Sequence, residues 1–298
     1  IDDALEKVDN IEEAAGHLWK LIETGAKKEV LEKILEKIGY PKTADEVEKR
    51  VGLYTELYKA VKEANVKKES IDNVLENVVD NTEEAAVYLK KLNETGAKAE
   101  VLEKMLVSIQ TSGTDDEVKK KAELYTRLYG SAKKVGVELK HIDDALEKVD
   151  NIEEAAGHLN ELIEDGLQKK ALTAMFKKVE GKTSSDNIET TFEPYKDLCA
   201  AVDSDENILE EDKKAVKESI NKLLERVDEK VDISEEIEAL TRCIKETDAG
   251  GPALIKLFDS INDGSITEQT ESFTKLYKSA KSQGIEQLYI DSALANAN

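Results

Sequence analysis

The stretch IDDALEKVDNIEEAAGHL, Ile1 to Leu18, returns letter for letter at Ile142 to Leu159. Looser copies begin at Ile71 (IDNVLENVVDNTEEAAVYL) and Ile220 (INKLLERVD), and a fifth start, IDSAL, stands at Ile290. Recurrence at a spacing of about 70 residues marks a chain built from one supersecondary assembly used repeatedly. The expected units are 1–70, 71–141, 142–219 with an insertion, and 220–289, with 290–298 as the start of a fifth unit or a cap. Modules of this size bury only about 60% of their unfolded surface, so neighbouring units are expected to pack on one another.

Within a unit the apolar spacing is helical. Asn10 with Glu13 has the form of a capping box, in which a side-chain oxygen accepts the amide three residues on. Ile11, Ala14, Ala15, Leu18, Leu21 and Ile22 then share one face, and Gly25 supplies a left-handed helix stop. A helix over 26–38 carries Val30, Leu31, Ile34, Leu35 and Ile38. Thr43 with Glu46 opens a longer helix to about Ala64, whose Val47, Val51, Tyr54, Tyr58 and Val61 form a heptad seam about 30 Å long. The second unit repeats this order, with Asn81 and Glu84 as cap and Gly96 as stop. In the third, DSDENILEED after Cys199 adds a turn or loop; in the fourth, Gly250 and Gly251 stand in for Gly25. The fold is therefore expected to be all-α, a tandem array of antiparallel helical bundles with three long helices and one short helix per unit.

Charged residues make up 36% of the chain and aromatics 5%, the balance of long helices rather than sheets. The net charge of -22 repels phosphate backbones and argues against nucleic acid as a partner. Cys199 and Cys243 lie in different units without CxxC neighbours and read as buried small hydrophobes. No apolar run is long enough to span a bilayer, and the first residue is Ile1 rather than Met, as in a processed or trimmed chain.

Motifs for chemistry are lacking. No GxSxG, P-loop or GxGxxG is present, so no catalytic residue, cofactor or enzyme activity is expected. His17 and His158 occupy equivalent positions, but Tyr88 takes that place in the second unit, which argues for packing; His141 reads as lying alone in a turn. Asp203, Asp205 and Asn207 begin like a calcium loop, yet Ile208 replaces the turn glycine and Lys214 the closing glutamate, so no metal site is expected. The consistent side-chain feature is an aromatic pair on each long helix: Tyr54 and Tyr58, Tyr125 and Tyr129, Tyr195 and Cys199, Phe273 and Tyr277. Such rings plug a core with hydroxyls at its rim, or they line an apolar crevice.

The wording IDDALEKVDNIEEAAGHL, followed by TGAKKEVLEKIL and LYTELYKAVKEANV, resembles the tandem helical-repeat surface lipoproteins of relapsing-fever Borrelia spirochetes. That resemblance implies a bacterial outer-surface protein tethered through a lipidated N-terminal cysteine that is absent from this chain. It supplies no functional residues to carry over, but these spirochetes take fatty acids and sterols from the host, which favours the crevice. The first functional expectation is thus a binding module for a fatty acid or sterol, lined by Tyr54, Leu57, Tyr58, Tyr125, Leu128, Tyr129, Phe273, Leu276 and Tyr277. The second is a host-protein-binding surface, acting in adhesion or immune evasion, because repeat arrays present extended faces. Filled module cores leave no room for a lipid, and pockets beside the spine rings would provide it.

Overall fold

A computed structural model describes the chain apart from residues 1–4, 6–7, 39–40, 42, 78–81, 113, 165–168, 181–182, 225, 227–232, 262–264 and 297–298, and the side chains at 82, 115 and 170. The expected cap at Asn81 lies outside the described residues. Among the described residues there are sixteen helices and no strand, so the fold is all-α. Two compact units divide the chain: 1–134 with 138–160, and 135–137 with 161–298.

The first unit contains α1 (Ile11–Glu23), α2 (Lys28–Ile38), α3 (Ala44–Glu63), α4 (Lys68–Asn77), α5 (Thr82–Asn93), α6 (Ala99–Gln110), α7 (Asp115–Val135), α8 (Leu139–Leu146) and the start of α9 (Ile152–Glu164). Helices pack on the helix two places away: α1 on α3 and α3 on α5 in one row, α2 on α4 and α4 on α6 in the other. The second unit contains α10 (Lys169–Val179), α11 (Ser185–Ser204), α12 (Glu210–Leu224), α13 (Ile233–Thr247), α14 (Gly251–Ser260), α15 (Ile266–Ser282) and α16 (Gln287–Ala295). There α11, α13 and α15 form one row, and α12, α14 and α16 the other. Because α3 lies against both α1 and α5, packing runs without a break across residue 70.

Local sequence explains the elements. Asn10 accepts the Glu13 amide at 3.3 Å, capping α1, and Glu13 accepts in return from the Asn10 side-chain Nδ2 at 2.9 Å. Thr43 Oγ1 accepts the Glu46 amide at 3.2 Å at the start of α3, where Asp9 also accepts the Ala44 amide at 3.0 Å. Gly25 and Gly96 adopt φ of 69° and 84°, the left-handed stop. The seam of α3 is wholly buried at Val47, Val51, Tyr54, Tyr58 and Val61. Cys199 and Cys243 are both buried, and burial pushes the Cys243 thiol up to about 11.

Two expectations need correction. In the second unit the left-handed residue after α13 is Asp248, with φ of 49°, and not Gly250 or Gly251, which begin α14. Aspartate tolerates that region better than most side chains, and the sequence Thr247–Asp248–Ala249 aligns with Thr24–Gly25–Ala26. His141 belongs to the first turn of α8 rather than to a turn between helices. Among the described residues no helix is long and apolar enough to cross a membrane.

Candidate functional site

The spine aromatics are held in place by a recurring lock, buried at Tyr58 and Tyr129 and partly buried at Tyr277. Tyr129 donates to Asp143 Oδ1 at 2.6 Å and Tyr277 to Asp291 Oδ1 at 3.1 Å, and Tyr58 donates to Asp72 Oδ1; each tyrosine precedes its aspartate by 14 residues. Each carboxylate also accepts a backbone amide from the loop before another helix. Lys27 N reaches Asp72, Lys98 N reaches Asp143 and Gly250 N reaches Asp291, all at 3.2 Å. One acidic residue therefore joins a long helix, the following short helix and the entry to α2, α6 or α14. Where Cys199 replaces the tyrosine, Asn221 replaces the aspartate, at the head of the INKLL copy. The two partners change together because a buried carboxylate without its donor is costly.

Chemically the lock is inert. Burial, followed by the Asp72 hydrogen bond, pushes the Tyr58 phenol far above its ordinary range, and burial does the same to Tyr129. Burial raises the Asp143 carboxyl, against the pull of its Tyr129 and Lys98 hydrogen bonds. A neutral donor sealed against an acceptor holds helices together and offers no accessible acid or base.

The expected apolar crevice is not where the rings are. Tyr54, Leu57, Tyr125, Leu128, Tyr129, Phe273 and Tyr277 are core residues, with Phe273 and Tyr277 stacked at 5.9 Å. They fill the space between helices because the seam turns them inward. Leu276 departs from its counterparts and lies exposed on α15. The Tyr54 and Tyr125 hydroxyls are buried with no hydrogen-bond partner; Ser108 lies near Tyr125 without meeting hydrogen-bond geometry.

Of the expected ring positions, Tyr58 borders a described cleft, together with Val61 of the same seam. This cleft, of about 550 Å³, opens on the first unit where the ends of α1 and α3 meet the start of α4. Tyr58, Val61 and Val66 form its apolar floor, and Lys20, Lys59, Lys62 and Lys68 surround it, with Thr24, Thr55 and Glu23 completing the wall. Lys59 pairs with Glu63 at 3.8 Å, and Glu23 accepts the Trp19 indole N–H at 2.8 Å. Four lysines line the cleft, of which Lys68 donates to the Gly25 carbonyl and Lys59 pairs with Glu63, so the wall carries an excess of cations on a chain of net charge -22.

A second open cleft, of about 450 Å³, has a related character. It is lined by Tyr88, Leu124, Lys91, Lys120 and Arg127 with Glu123 and Thr126, and the ammonium groups of Lys91 and Lys119 sit over the Tyr88 ring at 5.4 and 5.5 Å. Sequence reasoning singled out Tyr58 but none of these cations, which read as ordinary solvated charges until three helices bring them together. Among the described residues no group of three or more His, Cys, Asp or Glu side chains could hold a metal ion. Asp205 instead accepts the Asn207 amide at 2.8 Å, shaping the loop before α12.

No known family model, curated protein or solved structure matches the chain.

Proposed function

We propose that the chain is a non-enzymatic helical binding module for amphipathic anions, with fatty acids as the ligand class. The observation that carries this reading is the lysine ring of Lys20, Lys59, Lys62 and Lys68 above Tyr58, Val61 and Val66. A carboxylate head is attracted by the lysines, while an alkyl chain lies along Tyr58, Val61 and Val66; the volume falls in the range of small-ligand sites. A sterol, which carries no charge, gains nothing from the lysines, so the fatty acid is the better fit of the two apolar ligands. The ligand site narrows from the whole seam to the cleft at one end of α3, where the edges of Tyr58 and Val61 are reached, because the other seam rings are covered by core neighbours.

The recurring wording of the chain, similar to that of relapsing-fever spirochete lipoproteins, adds the proposal of a lipid-anchored position on the bacterial outer surface. There a fatty-acid site meets host lipid directly. The alternative is a host-protein-binding surface, favoured by exposed Trp19, Ile11 and Val107.

The test is saturable binding of radiolabelled palmitate to the full chain, beside a Lys20→Glu, Lys62→Glu variant and with cholesterol as competitor. We expect palmitate to bind, the variant to lose at least tenfold in affinity, and cholesterol not to displace it. Absence of saturable palmitate binding removes the fatty-acid reading and leaves the protein-binding surface.

A further inference from the structure

The cleft between α5 and α7 sits where one repeat departs in charge from its neighbours. At the position of Lys119 the first and third repeats carry Glu48 and Glu189, and at the position of Arg127 they carry Glu56 and Asp197. The fourth repeat has Thr267 and Lys275 there, so both positions are cationic in the second repeat only. Lys91, Lys119, Lys120 and Arg127 together match Glu161, Glu189, Thr190 and Asp197 of the third repeat, which include no cation. Helix packing is compatible with either set, so the packing does not demand the basic one.

The ring at the cleft changes with the charges. In the first repeat Glu48 lies 4.0 Å from His17. The matching pair in the second repeat is Lys119 and Tyr88, with the Lys119 and Lys91 ammonium groups 5.5 and 5.4 Å from the ring centroid. A tyrosine face attracts ammonium groups electrostatically and so gathers them at one place. Lys119 also reaches Glu84 at 3.6 Å, tying α7 to α5. Lys91, Lys120 and Arg127 are exposed around half-buried Tyr88 and Leu124. Set against these four cations are Glu84 and Glu123, which leaves an excess of two positive charges.

We infer that the cleft between α5 and α7 binds a small organic phosphate monoester. Such a group carries about -1.5 to -2 charges at pH 7, the complement of that excess. A guanidinium, as on Arg127, matches two phosphate oxygens at once, and ammonium groups serve as point charges beside it. Tyr88 and Leu124 offer apolar contact to the organic part of the ester, and about 450 Å³ suits a small ligand. The site is built from different residues than the lysine cleft at Tyr58 and stands independently of it.

The test is calorimetric titration of the full chain with phenyl phosphate, beside inorganic phosphate and phenyl sulfate. A Lys120→Thr, Arg127→Asp variant installs the third repeat's residues at two exposed positions, and an Arg127→Lys variant keeps the charge while removing the fork. We expect saturable binding of phenyl phosphate, weaker binding of the other two probes, a loss of at least tenfold in the double variant and a severalfold loss in Arg127→Lys. A Lys20→Glu, Lys62→Glu variant is expected to bind phenyl phosphate as the unsubstituted chain does. No saturable binding overturns the inference, as does unchanged affinity in Arg127→Lys and the double variant. Phenyl sulfate or inorganic phosphate binding as tightly as phenyl phosphate overturns the assignment to a monoester. Loss of binding in the Lys20→Glu, Lys62→Glu variant overturns it too, by placing the ester in the other cleft.

Discussion

At the scale of single residues, the buried tyrosines fall into two classes with opposite expected behaviour. Tyr129 donates a buried hydrogen bond to Asp143, so Tyr129→Phe leaves a buried carboxylate short of a donor and should cost about 1–3 kcal/mol. Tyr125, one turn earlier, has no partner for its hydroxyl. Tyr125→Phe removes an unsatisfied polar atom from an otherwise equal ring and is expected to stabilise by about 1 kcal/mol. Urea unfolding of the two variants measures both signs in one experiment.

Titration adds a further expectation. Burial raises the phenols of Tyr54, Tyr58, Tyr125, Tyr129 and Tyr277 in the fold, while unfolded tyrosine ionises near about 10. Their contribution is therefore whole below that value and is lost as pH climbs through the higher folded range. Asp143 has the reverse sense of an ordinary paired carboxylate, because its folded value is raised. Acidification through its range adds stability, and Asp143→Asn should remove that part of the pH dependence from a series of melting curves.

At the scale of elements, much of the architecture is written in local signals. Asn10, Thr43, Gly25 and Gly96 mark helix ends where the caps and positive φ values occur. The four-and-three spacing from Val47 to Val61 marks the buried seam. The locks escape such reading because tyrosine and aspartate sit 14 residues apart on different helices. A trace of them is nevertheless present, in the second letter of IDDAL, IDNVL and IDSAL and in the joint change to Cys199 and Asn221. Asp248 escaped because Gly250 and Gly251 are more conspicuous candidates for a helix stop. Glycine positions give a matching pair of expectations. Gly96→Ala, at φ of 84° with Leu139 Cδ1 at 3.4 Å from the added carbon, should cost about 1 kcal/mol or more. Gly157→Ala, inside α9 with nothing within 4 Å, should gain about 0.5–1 kcal/mol; thermal melts of both variants check the contrast.

At the scale of the whole molecule, composition and placement of charge diverge. A net charge of -22 describes an acidic protein, yet the cleft on the first unit gathers lysines from α1, α3 and α4. Nothing in the linear order singles out Lys20, Lys59, Lys62 and Lys68, since each sits among acidic neighbours on its own helix. Only the packing of α1 on α3 makes them one site. Exposed charges at this separation are screened by salt, so palmitate affinity is expected to fall as sodium chloride rises. Calorimetric titration at several salt concentrations reads that slope.

The most direct measurement is photolabelling of the full chain with a diazirine-bearing palmitate, followed by peptide mapping, with and without excess unlabelled palmitate. Competed adducts are expected on peptides carrying Thr55 to Val66 and Lys20 to Thr24, around the lysine cleft. Adducts confined to the spine peptides carrying Tyr125 or Tyr277, or labelling that unlabelled palmitate does not reduce, would contradict it.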